Sequence, residues 1–141
     1  MNFKKMVAAA AFTLISASAL AGAGENARSH FQAVAAGDLD MIMANYGNDA
    51  QFQWVGGPLD GTYKGTEAIR SVWGKFAKAN APLNAKVEQL TESANPKGST
   101  VTANVTFSGK NTIKVRYVLT YRDGKLVNEV WQIDPKLSAS Y

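Results

Sequence analysis

Three side chains in this sequence offer acid–base or ion-pairing chemistry: His30, Arg116 and Glu129. Imidazole is the side chain that titrates nearest neutral pH, and His30 is the only histidine. It could carry a proton at the mouth of a pocket, or it could be half-buried or exposed near the start of a helix. Because no carboxylate neighbours it in the sequence, the structural interpretation is slightly favoured.

Glu129 is the stronger candidate for catalysis. A buried carboxylate must either find a partner or hold its proton more tightly, and the second case would make a general base. Arg116 is expected on the neighbouring strand as a diagonal neighbour of Glu129, close enough for an ion pair. We therefore favour a structural ion pair over catalysis, and both interpretations stay open.

The faces of the sheet are predicted from its turns. A two-residue turn at Asp123-Gly124 would pair Arg122 with Lys125. One face then carries Arg116, Val118, Glu129, Trp131 and Ile133, and, with a two-residue turn at Gly109-Lys110, also Val101, Ala103, Val105 and Phe107. The opposite face carries Val115, Tyr117, Leu119, Tyr121 and Val130. This second, tyrosine-rich face is predicted to form a homodimer or to meet a protein partner.

Two tryptophans are expected in the same cavity. Trp54 and Trp131 could stack on a flat or apolar ligand while Arg116 binds an anionic or carbonyl group, or they could simply fill the space. Trp73 falls in an apolar helical stripe and is assigned to the core. The predicted pocket is lined by His30, Trp54, Arg116, Val118, Glu129 and Trp131.

The elements that position these residues follow from hydrophobic periodicity. Helices are predicted over 25–36, 38–46 and 66–78, with a strand over 51–55 between the second and third. Further strands are predicted over 85–94, 100–108, 112–122 and 125–133. Helices followed by an antiparallel meander indicate an α+β fold with helices packed on one face of a curved sheet.

The segment Gly37-Asp38-Leu39-Asp40 marks the junction between the first two helices. Gly37 can adopt a positive φ and end one helix, and Asp38 can accept hydrogen bonds from the first N–H groups of the next.

The first 21 residues have the pattern of a secretory signal peptide. Lys4 and Lys5 precede an Ala-rich apolar stretch, and cleavage is expected after Ala21. The stretch is short for a membrane span, so we expect a single domain over 22–141, exported to the periplasm or secreted, with no membrane anchor after cleavage.

Composition excludes several functions. The absence of cysteine rules out disulfides, thiol catalysis and cysteine-based metal sites. A metal site is not expected, because the chain has one histidine and no close carboxylate cluster. A cofactor is not expected either, because the sequence has no phosphate-binding loop. The net charge of +4, part of it in the leader, is too small to indicate nucleic-acid binding.

The junction at 37–40, the segment Tyr63-Lys64-Gly65-Thr66-Glu67-Ala68-Ile69-Arg70 and the terminal strands resemble the SnoaL-like and ketosteroid-isomerase-like branch of the NTF2-like superfamily. The resemblance covers the whole predicted mature chain. It implies a cone with a pocket between the helices and a concave sheet, usually in dimers. It does not imply one activity, because the fold hosts isomerases, cyclases, dehydratases, hydrolases and binders.

The resemblance can be tested at the catalytic positions of ketosteroid isomerases, which use a Tyr, a protonated Asp and an Asp base. Counting from the shared motifs, these positions hold His30, Val118 and Trp54 here. That isomerisation is therefore not expected, and whether the chain is an enzyme at all is left open. The leading hypothesis is noncatalytic binding of a small apolar or anionic molecule. The alternatives are acid–base catalysis by Glu129 or His30, as isomerase, dehydratase or hydrolase, and a dimeric interaction module.

Overall fold

A computed structural model describes residues 22–137. The predicted signal peptide and the last four residues lie outside the described residues. The described part contains three helices, α1 Ala23–Ala36, α2 Leu39–Met43 and α3 Thr66–Asn80. It contains six strands, β1 Tyr46–Val55, β2 Gly61–Lys64, β3 Asn84–Asn95, β4 Gly98–Ser108, β5 Thr112–Arg122 and β6 Lys125–Ile133.

The strands form one sheet in the order β2-β1-β6-β5-β4-β3. β1 runs parallel to β6, and every other neighbouring pair is antiparallel. The helices pack against this sheet, so the predicted α+β fold is confirmed. No helix within 22–137 combines the length and the apolar character needed to cross a membrane.

The junction between α1 and α2 has the predicted geometry. Gly37 lies in the left-handed region with φ 72°, and its N–H donates to the carbonyl of Val34. A Cβ at this position would lie 2.6 Å from the Cβ of Ala81, so glycine is required by space as well as by φ. Asp38 accepts a hydrogen bond from the Met41 N–H at 3.2 Å and caps α2.

Some element boundaries differ from the prediction. Tyr46 begins β1 instead of ending α2, because α2 has only five residues and stops at Met43. The turn-rich segment before α3 contains the short strand β2, which pairs with β1. α3 begins at Thr66 as predicted and ends two residues later than predicted, at Asn80, and Gly65 occupies its N-cap position without a side-chain hydrogen bond.

The register of β5 is the main correction. The turn from β4 to β5 has three residues, since Ser108 pairs with Thr112. The Asp123-Gly124 turn pairs Arg122 with Lys125 as predicted, but the register shifts by one residue at Val127. This bulge pairs Leu119, not Val118, with Glu129.

The extra turn residue and the bulge each shift the register by one residue. Together they leave the faces of β4 and β6 matched as predicted, and they exchange the inner and outer faces of β5 only. Val101 and Phe107 therefore share the inner face with Glu129 and Trp131 as predicted, while Arg116 and Val118 lie on the outer face. The inner residues of β5 are buried: Val115, Tyr117, Leu119 and Tyr121.

The tyrosine-rich face thus belongs to the core and is not the surface on which a partner could dock. A homodimer through the sheet stays a prediction, and its contact would involve the face that carries Arg116 and Val118.

Candidate functional site

The inner face of β6 presents a carboxylate to three hydrogen-bond partners. Glu129 Oε2 lies 2.7 Å from His30 Nε2 and accepts a hydrogen bond from the Tyr117 hydroxyl. Glu129 Oε1 accepts a hydrogen bond from the Tyr46 hydroxyl. We call these four side chains the carboxylate cluster. It is enclosed, because Glu129 and Tyr117 are fully buried and His30 is 3% exposed.

Four separate elements bring the carboxylate cluster together. His30 lies on the buried stripe of α1, Tyr46 begins β1, and Tyr117 and Glu129 come from β5 and β6. From α3, the indole N–H of Trp73 donates to the Tyr46 hydroxyl at 2.9 Å. This fourth hydrogen bond is accepted by the Tyr46 oxygen, which leaves the Tyr46 proton free to be donated to the carboxylate.

Burial sets the protonation of the two phenols. It raises the pKa of Tyr46 and of Tyr117 well above the ordinary value of 10.0, and the neighbouring Glu129 carboxylate raises both further. Both phenols therefore keep their protons at neutral pH and act as donors. A buried carboxylate that accepts several hydrogen bonds is compensated for its lost hydration.

Tyr121 adds a further buried phenol beside the cluster. Burial raises its pKa, with a smaller contribution from Glu129. Within the described residues, its hydroxyl is buried without a hydrogen-bond partner. An unpaired buried hydroxyl costs stability, so this position does not help to compensate the carboxylate.

The predicted ion pair between Arg116 and Glu129 is wrong. Arg116 is exposed on the outer face, where its Nη1 donates to Asn104 Oδ1 at 3.2 Å. The reversed phase of β5 explains this placement. The partners of Glu129 are His30 and two tyrosines instead.

A layer of aromatic rings adjoins the carboxylate cluster. The Trp54 and Trp131 ring centroids lie 4.7 Å apart, on residues paired between β1 and β6. Trp131 stacks on Phe107 at 5.2 Å and meets the Tyr117 ring edge-on at 5.4 Å. Trp73 is core, as predicted, and packs on both Trp54 and Trp131.

A pocket of ≈ 610 Å³ lies between the second half of α3 and the nearby ends of the sheet. Trp54, Phe76 and Trp131 form its aromatic wall. The other lining residues are Pro58, Leu59, Lys75, Ala79, Asn80, Asn111, Thr112, Ile113, Lys114, Ile133 and Pro135. No member of the carboxylate cluster lines this pocket, so the polar and aromatic halves of the predicted site are separate.

The predicted site residues therefore fall into three places. Trp54 and Trp131 line the pocket, His30 and Glu129 form the carboxylate cluster, and Arg116 and Val118 lie on the outer face. Sequence reasoning missed Tyr46 and Tyr117 as partners of Glu129, and it missed Lys75 and Lys114 at the pocket. Within 22–137, no three His, Cys, Asp or Glu side chains are grouped as metal ligands.

The spacing of the large apolar residues in β6 could have predicted the bulge. Leu126 and Trp131 are five positions apart, yet both are large and apolar. A regular strand points such residues to opposite faces, so burying both requires one extra residue between them. The same extra residue turns Tyr117 toward Glu129.

The helices, the six-stranded sheet and the enclosed inner face define an NTF2-like cone. Solved structures agree. An NTF2-like protein of unknown function from Pseudomonas putida KT2440 is 19% identical with a TM-score of 0.68, over 83% of this chain and 87% of that one. One from Burkholderia xenovorans LB400 is 20% identical with a TM-score of 0.64, over 82% and 84%.

A third similar structure, from Sinorhizobium meliloti, is named only provisionally as a polyketide cyclase. It is 20% identical with a TM-score of 0.53, over 77% of this chain and 94% of that one. Among curated proteins, none matches. The family model of the SnoaL-like domain matches residues 27–129. The chain belongs to the SnoaL-like domain family.

The structure also refines the comparison with ketosteroid isomerases. His30 and Trp54 do face the interior of the cone. Val118, the position reached by counting from the turns, faces outward, and Tyr117 is its inward neighbour. The assignment of the oxyanion Asp position to Val118, made by counting from the turns, therefore fell on the wrong face of β5.

Proposed function

We propose that this protein binds a small, largely apolar molecule in the pocket walled by Trp54, Phe76 and Trp131, without transforming it. The observation that carries the proposal is the pocket itself: an open space of ≈ 610 Å³ with an aromatic wall. Pockets of this size and composition are typical of small-molecule sites. Trp54, Phe76 and Trp131 are almost fully buried, so they give the pocket an apolar floor that a ligand would contact over a small area.

The location of the carboxylate cluster argues against acid–base catalysis. A general base must come within hydrogen-bond reach of the proton that it removes. Glu129 is fully buried, its oxygens are already hydrogen-bonded, and it does not line the pocket. His30 is bonded to that same carboxylate. A substrate in the pocket would meet neither group.

Binding can be measured with naphthalenemethanol, a neutral aromatic probe, by tryptophan fluorescence and by thermal shift. A ligand that binds only the folded state raises the melting temperature by mass action. Trp54 and Trp131 form part of the wall, so their emission should change on binding.

A pocket-filling variant supplies the control. Ala79→Trp places an indole in the pocket from α3, and Ser71→Trp places one on an exposed part of the same helix away from it. The first variant should lose the probe and the second should retain it. Equal binding by both variants, or a complete lack of binding by the wild type across neutral and charged aromatic probes, would contradict the proposal.

We also propose that the protein is exported and cleaved after Ala21. Supporting this, α1 begins at Ala23, so the cut would leave every residue of that helix in the mature chain. The mass of protein recovered from a periplasmic extract tests the site: it should correspond to a chain beginning at Gly22. Full-length protein confined to the cytoplasm would refute it.

A further inference from the structure

A second cavity lies at the end of the sheet where β3 turns into β4. Its volume is ≈ 270 Å³, and it is lined by residues of β3, β4, β5 and the β3–β4 turn. The lining includes Lys97, Arg122 and the hydroxyl groups of Ser93, Thr100 and Thr120, and it includes no Asp or Glu. The two cavities share no lining residue, so this polar cavity is separate from the aromatic pocket.

Strand phase places the polar side chains of this cavity on the outer face of the sheet. Ser93 pairs with Thr100, and Thr100 pairs with Thr120, so these three side chains point the same way. Val118, two residues before Thr120, lies on the outer face, and Arg122 follows Thr120 by two residues. The Arg122 side chain therefore extends from the same face as the three hydroxyls.

A hydrogen bond holds the Arg122 guanidinium at the cavity. Its Nη1 donates to the carbonyl of Lys97, itself a lining residue, at 3.3 Å. Gly98 has no side chain to fill the space beside the Arg122 stem, since a Cβ there would lie 3.4 Å from Arg122 Cγ. A guanidinium has five N–H donors, so this bond leaves donors available to a ligand.

The cations at this end of the sheet lie together without a neutralising carboxylate. Arg122 is directly paired with Lys125 across the Asp123-Gly124 turn, and both side chains are exposed. Within 22–137, no carboxylate lies within salt-bridge distance of Lys97, Arg122 or Lys125. Like charges directly opposite each other destabilise a sheet, and local features that cost stability are expected at functional sites.

We propose that this cavity binds the phosphate group of a phosphate monoester between Arg122 and Lys97. The hydroxyls of Thr100 and Thr120 donate to the remaining oxygens. A phosphate monoester is mostly a dianion at neutral pH, and its oxygens match the planar donors of a guanidinium. The cavity is smaller than typical sites for drug-sized ligands, so it holds the phosphate group and few further atoms.

Glycerol phosphate is the soluble probe, titrated into the protein at low and constant ionic strength and compared with acetate and chloride. The backbone N–H signals of Gly98, Thr100 and Thr120 in nuclear magnetic resonance spectra should shift and saturate. Acetate should bind about tenfold more weakly, because it has less charge and fewer acceptor oxygens. Binding should weaken as salt is added, since the cations are exposed.

Variants assign the binding to the arginine. Arg122→Gln should weaken the binding of glycerol phosphate about tenfold. Arg28→Gln removes an exposed arginine from α1, outside the cavity, and should leave the binding unchanged. Both substitutions are at exposed positions, so both variants should fold, which circular dichroism checks.

The like-charge pair supplies a second measurement. In chloride, Lys125→Gln should melt about 1–3 °C above the wild type, because it removes the repulsion with Arg122. Glycerol phosphate should raise the melting temperature of the wild type more than that of Lys125→Gln, because Lys125 adds to the potential that attracts the anion. An equal increase in the two proteins would contradict this role of the pair.

A lipid headgroup presents the same chemistry as a soluble ester, and vesicles that carry phosphatidic acid separate the two sources. Sedimentation of the wild type with these vesicles, and not of Arg122→Gln, would assign the site to a headgroup. Binding of glycerol phosphate alone would assign it to a soluble ester. The inference is wrong if neither form binds saturably, or if Arg122→Gln binds as the wild type does. Naphthalenemethanol tests the aromatic pocket separately, so either proposal can fail without the other.

Discussion

Glu129 and Trp131 lie two residues apart on the inner face of β6, yet they serve different regions of the molecule. Glu129 is enclosed with His30 and two tyrosines, and Trp131 forms part of the pocket wall. Residues with this spacing point the same way along a strand. One strand therefore contributes both to an internal polar cluster and to a surface pocket, with rings of the aromatic layer between them.

The carboxylate cluster should be a major source of stability. Glu129→Met removes the acceptor and leaves His30, Tyr46 and Tyr117 without it. We expect a loss of about 3–5 kcal/mol in the free energy of unfolding, because each of three buried groups loses its hydrogen-bond partner at a cost of about 1–3 kcal/mol. Urea unfolding followed by circular dichroism measures this loss.

If Glu129→Met does not fold, Tyr117→Phe tests the same point more gently. It removes one hydroxyl donor and should cost about 1.5–3 kcal/mol, as for a hydrogen bond to a charged group. Tyr63→Phe is the matched control, because its hydroxyl donates to the neutral Leu59 carbonyl at 2.6 Å. Equal losses of stability in the two variants would show that the hydrogen bond to Glu129 is no stronger than one to a neutral carbonyl.

Stability should fall steeply in alkaline solution. Tyr46, Tyr117 and Tyr121 all have raised pKa values in the folded protein, so they stay protonated where the unfolded chain loses protons, above about pH 10. The folded state then binds more protons than the unfolded state, and the free energy of unfolding decreases as pH rises. Three such tyrosines give roughly 4 kcal/mol per pH unit.

Urea unfolding between about pH 9 and about pH 11 tests this dependence. The loss should begin near the ordinary tyrosine pKa, and phenolate absorbance from these residues should appear only with unfolding. Tyr117→Phe should reduce the slope by about one third, since it removes one of three equivalent contributions. Phenolate signal from all tyrosines before any unfolding would contradict the assignment.

Ligand binding should be independent of the carboxylate cluster. Glu129→Gln keeps the side-chain shape and alters only the enclosed polar group, so its folded form should bind naphthalenemethanol within about twofold of the wild type. Trp54→Leu removes part of the pocket wall and should weaken binding about tenfold. A loss as large for Glu129→Gln would mean that the ligand reaches the carboxylate, and it would revive the catalytic hypothesis.

Local signals were sufficient for much of the fold. Gly37 and Asp38 specify the end of α1 and the start of α2 through a positive φ and a side-chain cap, both of which depend on neighbours in sequence. The apolar stripe containing Trp73 likewise predicted α3 and its buried face. Such features are readable because the cause and the consequence lie within a few residues.

The site was harder to predict because it depends on register and on distant segments. One bulge at Val127 and one extra turn residue reversed β5, which exchanged Arg116 for Tyr117 on the inner face. The pocket is lined by residues of α3, of β5 and of the segments around them, which are far apart in sequence, and no local pattern marks them as pocket residues. Side chains whose role depends on such placement need the structure.

The bulge at Val127 lets Leu126 and Trp131 share the inner face despite their odd spacing, and deleting this residue tests that role. Without it, the two residues are four positions apart, so a regular strand places both on the inner face with the same partners on β5. We therefore expect the deletion variant to unfold cooperatively and to keep wild-type tryptophan emission. Val127→Ala and Val127→Thr keep the residue count and should cost only about 1 kcal/mol each. A deletion variant with tryptophan emission exposed to water would show that the bulge does more than correct the spacing.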